Sequence, residues 1–103
     1  MSESNRKTYI VNVKDLSFKS EQMVLDLIRY LAEQIPQIEI KRAGSELEVS
    51  APKSMSKRTI RLRIRKFLYK KELIDDYRAI SLQDPDKEGY TIKERRVYQF
   101  TYY

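Results

Sequence analysis

The chain has 103 residues, 41% of them hydrophobic, which is enough for one domain around a single core and too little for a second. Charged residues make up 35% and the net charge is +6, a balance that favours polyanionic partners. The absence of cysteine and histidine excludes disulfides and the usual zinc sites and removes the commonest catalytic base and strongest nucleophile, while two glycines cannot build a nucleotide-binding loop, so neither an enzyme nor a cofactor is expected.

The polar opening from Met1 to Arg6 reads as a flexible leader without the apolar segment of a signal peptide. No apolar run approaches the roughly 20 residues that span a bilayer, so a soluble cytoplasmic protein without membrane contact is expected. Tyr9, Val11 and Val13 alternate with Ile10 and Asn12, predicting a strand over about residues 7–15. Ser20 can cap a helix whose apolar face is Val24, Leu27, Ile28, Leu31 and Ile35, stopped before Pro36. Ile38 and Ile40, then Leu47, Val49 and Ala51, alternate on either side of Arg42-Ala-Gly-Ser, the pattern of a hairpin closed by Pro52.

A second helix is predicted from Ser56 to about Tyr77, with Ile60, Ile64, Phe67, Leu68 and Ile74 on one stripe and no internal glycine or proline. At 1.5 Å per residue it would be about 30 Å long. Ala79, Ile80 and Leu82 suggest a strand, Asp84 to Gly89 a turn, and Tyr90 to Tyr103 a last strand. The expected fold is a single α/β (α+β) domain over residues 1–103, with two helices on a small, mainly antiparallel sheet in the order β-α-β-β-α-β-β.

The charge is unevenly placed. Lys53, Lys57, Arg58, Arg61, Arg63, Arg65, Lys66, Lys70 and Lys71 put nine cations in the nineteen residues 53–71, without one acid. Removing these nine from the 21 basic residues leaves 12 against 15 acidic ones, so the rest of the chain is net −3. On a helical wheel Arg58, Arg61 and Arg65 form one row and Arg63, Lys66 and Lys70 another, on the two flanks of the apolar stripe. Solvated side chains with stems over the core are the ordinary explanation of surface lysines and arginines. Such surfaces interleave both signs, however, so an acid-free run of this length points to a polyanion site.

Among nucleic-acid modules, stacking on a third-strand aromatic is disfavoured because Glu46 to Ala51 has no aromatic residue and two acids. A winged-helix-like DNA-binding regulator is the alternative, since a basic helix precedes a hairpin carrying Arg95 and Arg96, which are secondary candidate contacts. Tyr98, Phe100 and Tyr102 read as sheet or core residues rather than stacking platforms.

The stretch from Leu47 to about Leu82 resembles the eukaryotic-type ribosomal protein L22 family. The residues that carry the likeness are Val49, Pro52, Ser56, Lys57, Arg58, Arg65, Lys66, Lys70, Leu73, Asp75 and Arg78, in register without a gap from Ser56 onward. The resemblance implies a structural constituent of the large ribosomal subunit, monomeric when free, with ribosomal RNA as partner and neighbouring ribosomal proteins as further candidates. It also implies RNA contacts at Lys57, Arg58, Arg65, Lys66 and Lys70, and a basic residue at Arg61. Arg63 and Lys71 rest on charge alone. The first half matches only in element order, and the segment from Arg95 onward is longer than the family pattern, as in a divergent, archaeal-type member.

Overall fold

The computed structural model describes residues 6–95. Within them the chain runs through β1 (Arg6–Asn12), α1 (Lys14–Lys19), α2 (Glu21–Gln34), β2 (Glu39–Ala43), β3 (Glu46–Pro52), α3 (Lys57–Lys70), β4 (Tyr77–Ser81) and β5 (Gly89–Glu94). The strands form one sheet in the order β2-β3-β1-β5-β4. Every junction is antiparallel except β1–β5, which is parallel. The mixed fold with a mainly antiparallel sheet is therefore as expected, with three helices instead of two.

The additional helix follows from Asn12. Its side-chain Oδ1 accepts the Lys14 N–H at 3.0 Å, which turns the chain out of β1 and starts α1. Val13 is buried, so its alternation with Tyr9 and Val11 extends the strand-like pattern past the strand's true end. Ser20 caps α2 as expected, accepting from the Met23 N–H, and the helix ends one residue before Ile35.

Strand alternation sorts the sheet into two faces. Tyr9, Val11, Leu47, Val49, Ala79, Tyr90 and Ile92 lie on the buried face, and α2 adds Val24, Leu27 and Leu31 while α3 adds Ile60, Ile64, Phe67 and Leu68. On the other face Thr8, Lys41, Glu48, Arg78 and Lys93 are exposed. Burying a side chain such as Ile64 or Leu68 contributes about 2 kcal/mol, so this stripe fixes the rotation of α3 about its axis. Phe67 meets Tyr30 of α2 with ring centroids 5.6 Å apart, locking the two long helices together.

The hairpin turn falls where its sequence places it. Gly44 and Ser45 link β2 and β3, and Gly44 has φ of +64°, the positive value a two-residue hairpin loop requires at its first central position.

The second long helix is shorter than the pattern suggests: α3 has 14 residues, about 21 Å at 1.5 Å per residue, and Tyr77 belongs to β4. It ends in a Schellman motif. The Leu73 N–H donates to Leu68 O at 2.7 Å and the Glu72 N–H to Tyr69 O at 3.0 Å, which requires Glu72 in the left-handed region at φ of +59°. That position normally carries glycine, and its absence here is why the stop was not visible in the sequence. Glu72 is exposed, so Glu72→Gly removes the left-handed penalty without losing packing. It is expected to stabilise the protein by about 0.5 kcal/mol after the entropy of a more flexible unfolded chain is counted. A thermal melt should show a rise of roughly 2–4 °C; a fall would mean that the Glu72 side chain makes a stabilising contact of its own.

The last strand, β5, ends at Glu94. The expected continuation to Tyr103, with Arg96 and the aromatics Tyr98, Phe100, Tyr102 and Tyr103, lies outside the described residues, as does most of the expected leader. Among the described residues no helix is long and apolar enough to cross a membrane.

Candidate nucleic-acid interface

Local sequence sets up α3 as a cationic ridge. Ser56, in extended conformation, caps it by accepting the Arg58 N–H at 3.1 Å, and the first turn holds no acid. Lys57 and Arg58 thus stand at the positive end of the helix dipole, an arrangement that an external anion would relieve.

With the apolar stripe against the sheet, the two predicted rows separate. Arg58, Arg61 and Arg65 line the side towards the sheet edge and are exposed. The other row faces α2, where Arg63 Nη1 donates to Gln34 Oε1 at 3.3 Å and Lys70 Nζ lies 5.7 Å from the Tyr30 ring centroid. Lys66 of that row is exposed.

Two further cations are engaged inside the fold. Lys57 Nζ sits 4.9 Å from the centroid of the Tyr90 ring. Lys71 Nζ is 3.4 Å from Asp26 Oδ2 and within 6.0 Å of the Phe67 centroid. The Gln22 amide together with the Lys71 ammonium holds the Asp26 carboxyl below its ordinary range. The nine candidates are therefore not equivalent. Lys53, Arg58, Arg61, Arg65 and Lys66 are exposed, whereas Lys57, Arg63, Lys70 and Lys71 also touch the protein's own side chains. Of all nine, only Lys71 has a carboxylate partner among the described residues.

Carboxylates elsewhere pair with cations outside this segment, as in Lys7–Glu88 and Arg42–Glu21 at 2.8 Å and Lys87–Glu46 at 3.6 Å. Among the described residues no carboxylate lies within ion-pair distance of Arg58, Arg61 or Arg65 on the outer flank of α3. Burial pushes the Tyr90 phenol above its usual range, and the charges of Arg61 and Arg58 act against that rise.

Beyond this flank, a cleft of about 460 Å³ opens between α3 and β4. Arg61, Arg65 and Tyr69 form one wall at four-residue spacing, and Arg78 and Arg95 approach from the sheet. Arg95, a secondary candidate from the sequence, is thus joined to the main site. Arg78 was visible only as part of the family-like motif, and Tyr69 was not singled out at all. The available signal was the i, i+4, i+8 spacing of Arg61, Arg65 and Tyr69, off the apolar stripe. Neither a family model nor a curated protein matches this chain.

Proposed function

We propose that this protein is a structural, non-catalytic constituent of the large ribosomal subunit, acting in the cytoplasm and binding ribosomal RNA through α3. The observation that carries the reading is the outer flank of that helix: Arg58, Arg61 and Arg65 are exposed, and the described residues give them no carboxylate partner. Rows of like charge at three- and four-residue spacing destabilise a helix by a few tenths of a kcal/mol per pair, which a phosphate backbone offsets. Arginine and lysine heads on phosphates read RNA mainly by its shape.

The likeness of residues 47–82 to the eukaryotic-type ribosomal protein L22 family supports the ribosomal assignment over RNA binding in general. Against the winged-helix alternative stands the connection between the two long helices. A helix-turn-helix module joins its helices by a turn of a few residues, whereas here the whole β2–β3 hairpin lies between α2 and α3.

The reading is tested by sedimenting the native, tagged protein through a sucrose gradient of cell lysate, before and after a high-salt wash. Co-migration with large subunits that is lost only at high salt is the expected result. A peak confined to the top fractions, with DNA recovered on pull-down, would overturn it in favour of the DNA-binding alternative.

A further inference from the structure

The cleft between α3 and β4 differs in kind from the ridge beside it. A ridge of cations suits the outside of a duplex, but a stiff double helix laid along α3 cannot enter a recess on its flank. Four arginines from three parts of the chain line it, Arg61 and Arg65 from α3, Arg78 from the edge strand β4 and Arg95 from just beyond β5, with Asp75 the one acid in the lining. None of the four is within ion-pair distance of a carboxylate among the described residues. Guanidinium forks match phosphate oxygens in pairs and also stack on planar rings.

At the end of the arginine row stands Tyr69, 61% exposed although its neighbours Leu68 and Phe67 are buried. An exposed tyrosine one helical turn from an arginine supplies a flat, sequence-tolerant platform for a base. The cleft also has apolar surface, from Ala79 and Ile80, and its volume of about 460 Å³ is within the range of small-ligand sites.

Resting on the RNA-binding reading above, we infer that this cleft takes a single unpaired nucleotide next to the duplex held by α3, its phosphate among the four arginines and its base against Tyr69. The target is then a helix interrupted by a bulge or junction. An uninterrupted duplex reaches Arg61 and Arg65 on the ridge and leaves Tyr69, Arg78 and Arg95 unused.

Two RNA hairpins of identical stem, one perfect and one with a single bulged adenosine, test this by fluorescence anisotropy with the full chain. The bulged hairpin is expected to bind about tenfold more tightly, the factor appropriate to one stacked base. Tyr69→Ala should remove most of that preference and leave the affinity for the perfect hairpin unchanged. Tyr69→Phe, which keeps the ring, should retain the preference, and Arg78→Gln, off the helix, should weaken the bulged hairpin selectively. Replacing the bulged base by 2-aminopurine gives a direct reading, since stacking on Tyr69 quenches its fluorescence in the wild-type complex but not with Tyr69→Ala. Equal affinity for the two hairpins, or a preference that Tyr69→Ala does not diminish, overturns the cleft assignment and leaves RNA binding by α3 standing. Failure to bind either hairpin overturns both.

Discussion

Replacing Arg61 and Arg65 together by glutamate is expected to weaken binding to a perfect RNA duplex by on the order of a hundredfold at physiological salt, with little change in stability. Both side chains are exposed and neither has an ion-pair partner among the described residues, so the fold does not depend on their charge. Each duplex phosphate contact adds about 0.9 to the slope of log affinity against log salt, so losing two should lower that slope by about 1.8. The two glutamates also repel the backbone, which is why the loss exceeds that of two neutral substitutions. Anisotropy titrations across a salt series read both quantities, and a circular-dichroism melt establishes that the variant is folded. Arg61→Lys with Arg65→Lys, which keeps charge but not the planar fork, should retain most duplex affinity. A folded glutamate variant with unchanged affinity and slope would remove this flank of α3 from the interface.

The largest effect on stability is expected at Gly89. The β4–β5 hairpin joins the rest of the sheet through three residue pairs, Ile10–Gly89, Val11–Tyr90 and Asn12–Thr91, so β5 lies tight against β1 at its first residue. A Cβ on Gly89 would stand 1.7 Å from the Ile10 carbonyl oxygen, and backbone cannot swing aside as a flexible side chain can. Adjacent to the clash, the Ile10 N–H donates to Glu88 O at 2.8 Å, and moving the strands apart would sacrifice that bond as well. Gly89→Ala should therefore cost at least about 3 kcal/mol, seen as a fall in melting temperature of roughly 12 °C or more, or as failure to fold. Gly44→Ala is the internal comparison. Its Cβ meets nothing within 4 Å, so only the positive φ is penalised and the cost should be about 1 kcal/mol. Comparable losses at the two glycines would show that the β1–β5 seam is looser than this packing implies. The seam also matters for the interface, because it holds Arg78 and Arg95 opposite Arg61 and Arg65.

Much of this molecule is determined by short-range pattern. The three-and-four spacing of Val24, Leu27 and Leu31, and of Ile60, Ile64, Phe67 and Leu68, dictates two amphipathic helices and the faces they bury, because a helix with one apolar stripe has one way to hide it. Alternation around Gly44 dictates the β2–β3 hairpin, since pleat and turn are both local. The acid-free run of residues 53–71 is likewise a property of the sequence alone. Where the second long helix stops was not legible, because its end is made by hydrogen bonds to Leu68 and Tyr69 that force Glu72 into a conformation its side chain does not advertise. The parallel β1–β5 junction was hidden too, since it unites residues some eighty positions apart and turns on one glycine's missing Cβ. Tertiary structure alone decided which cations are available. A helical wheel gives each side chain's angle about its own axis, but not that Tyr90 stands under Lys57, Gln34 beside Arg63 and Tyr30 beneath Lys70. The same limit applies to the cleft, for the approach of Arg78 and Arg95 to Arg61 and Arg65 depends on where the sheet edge lies against α3, which is fixed by packing across the whole core and by no local pattern.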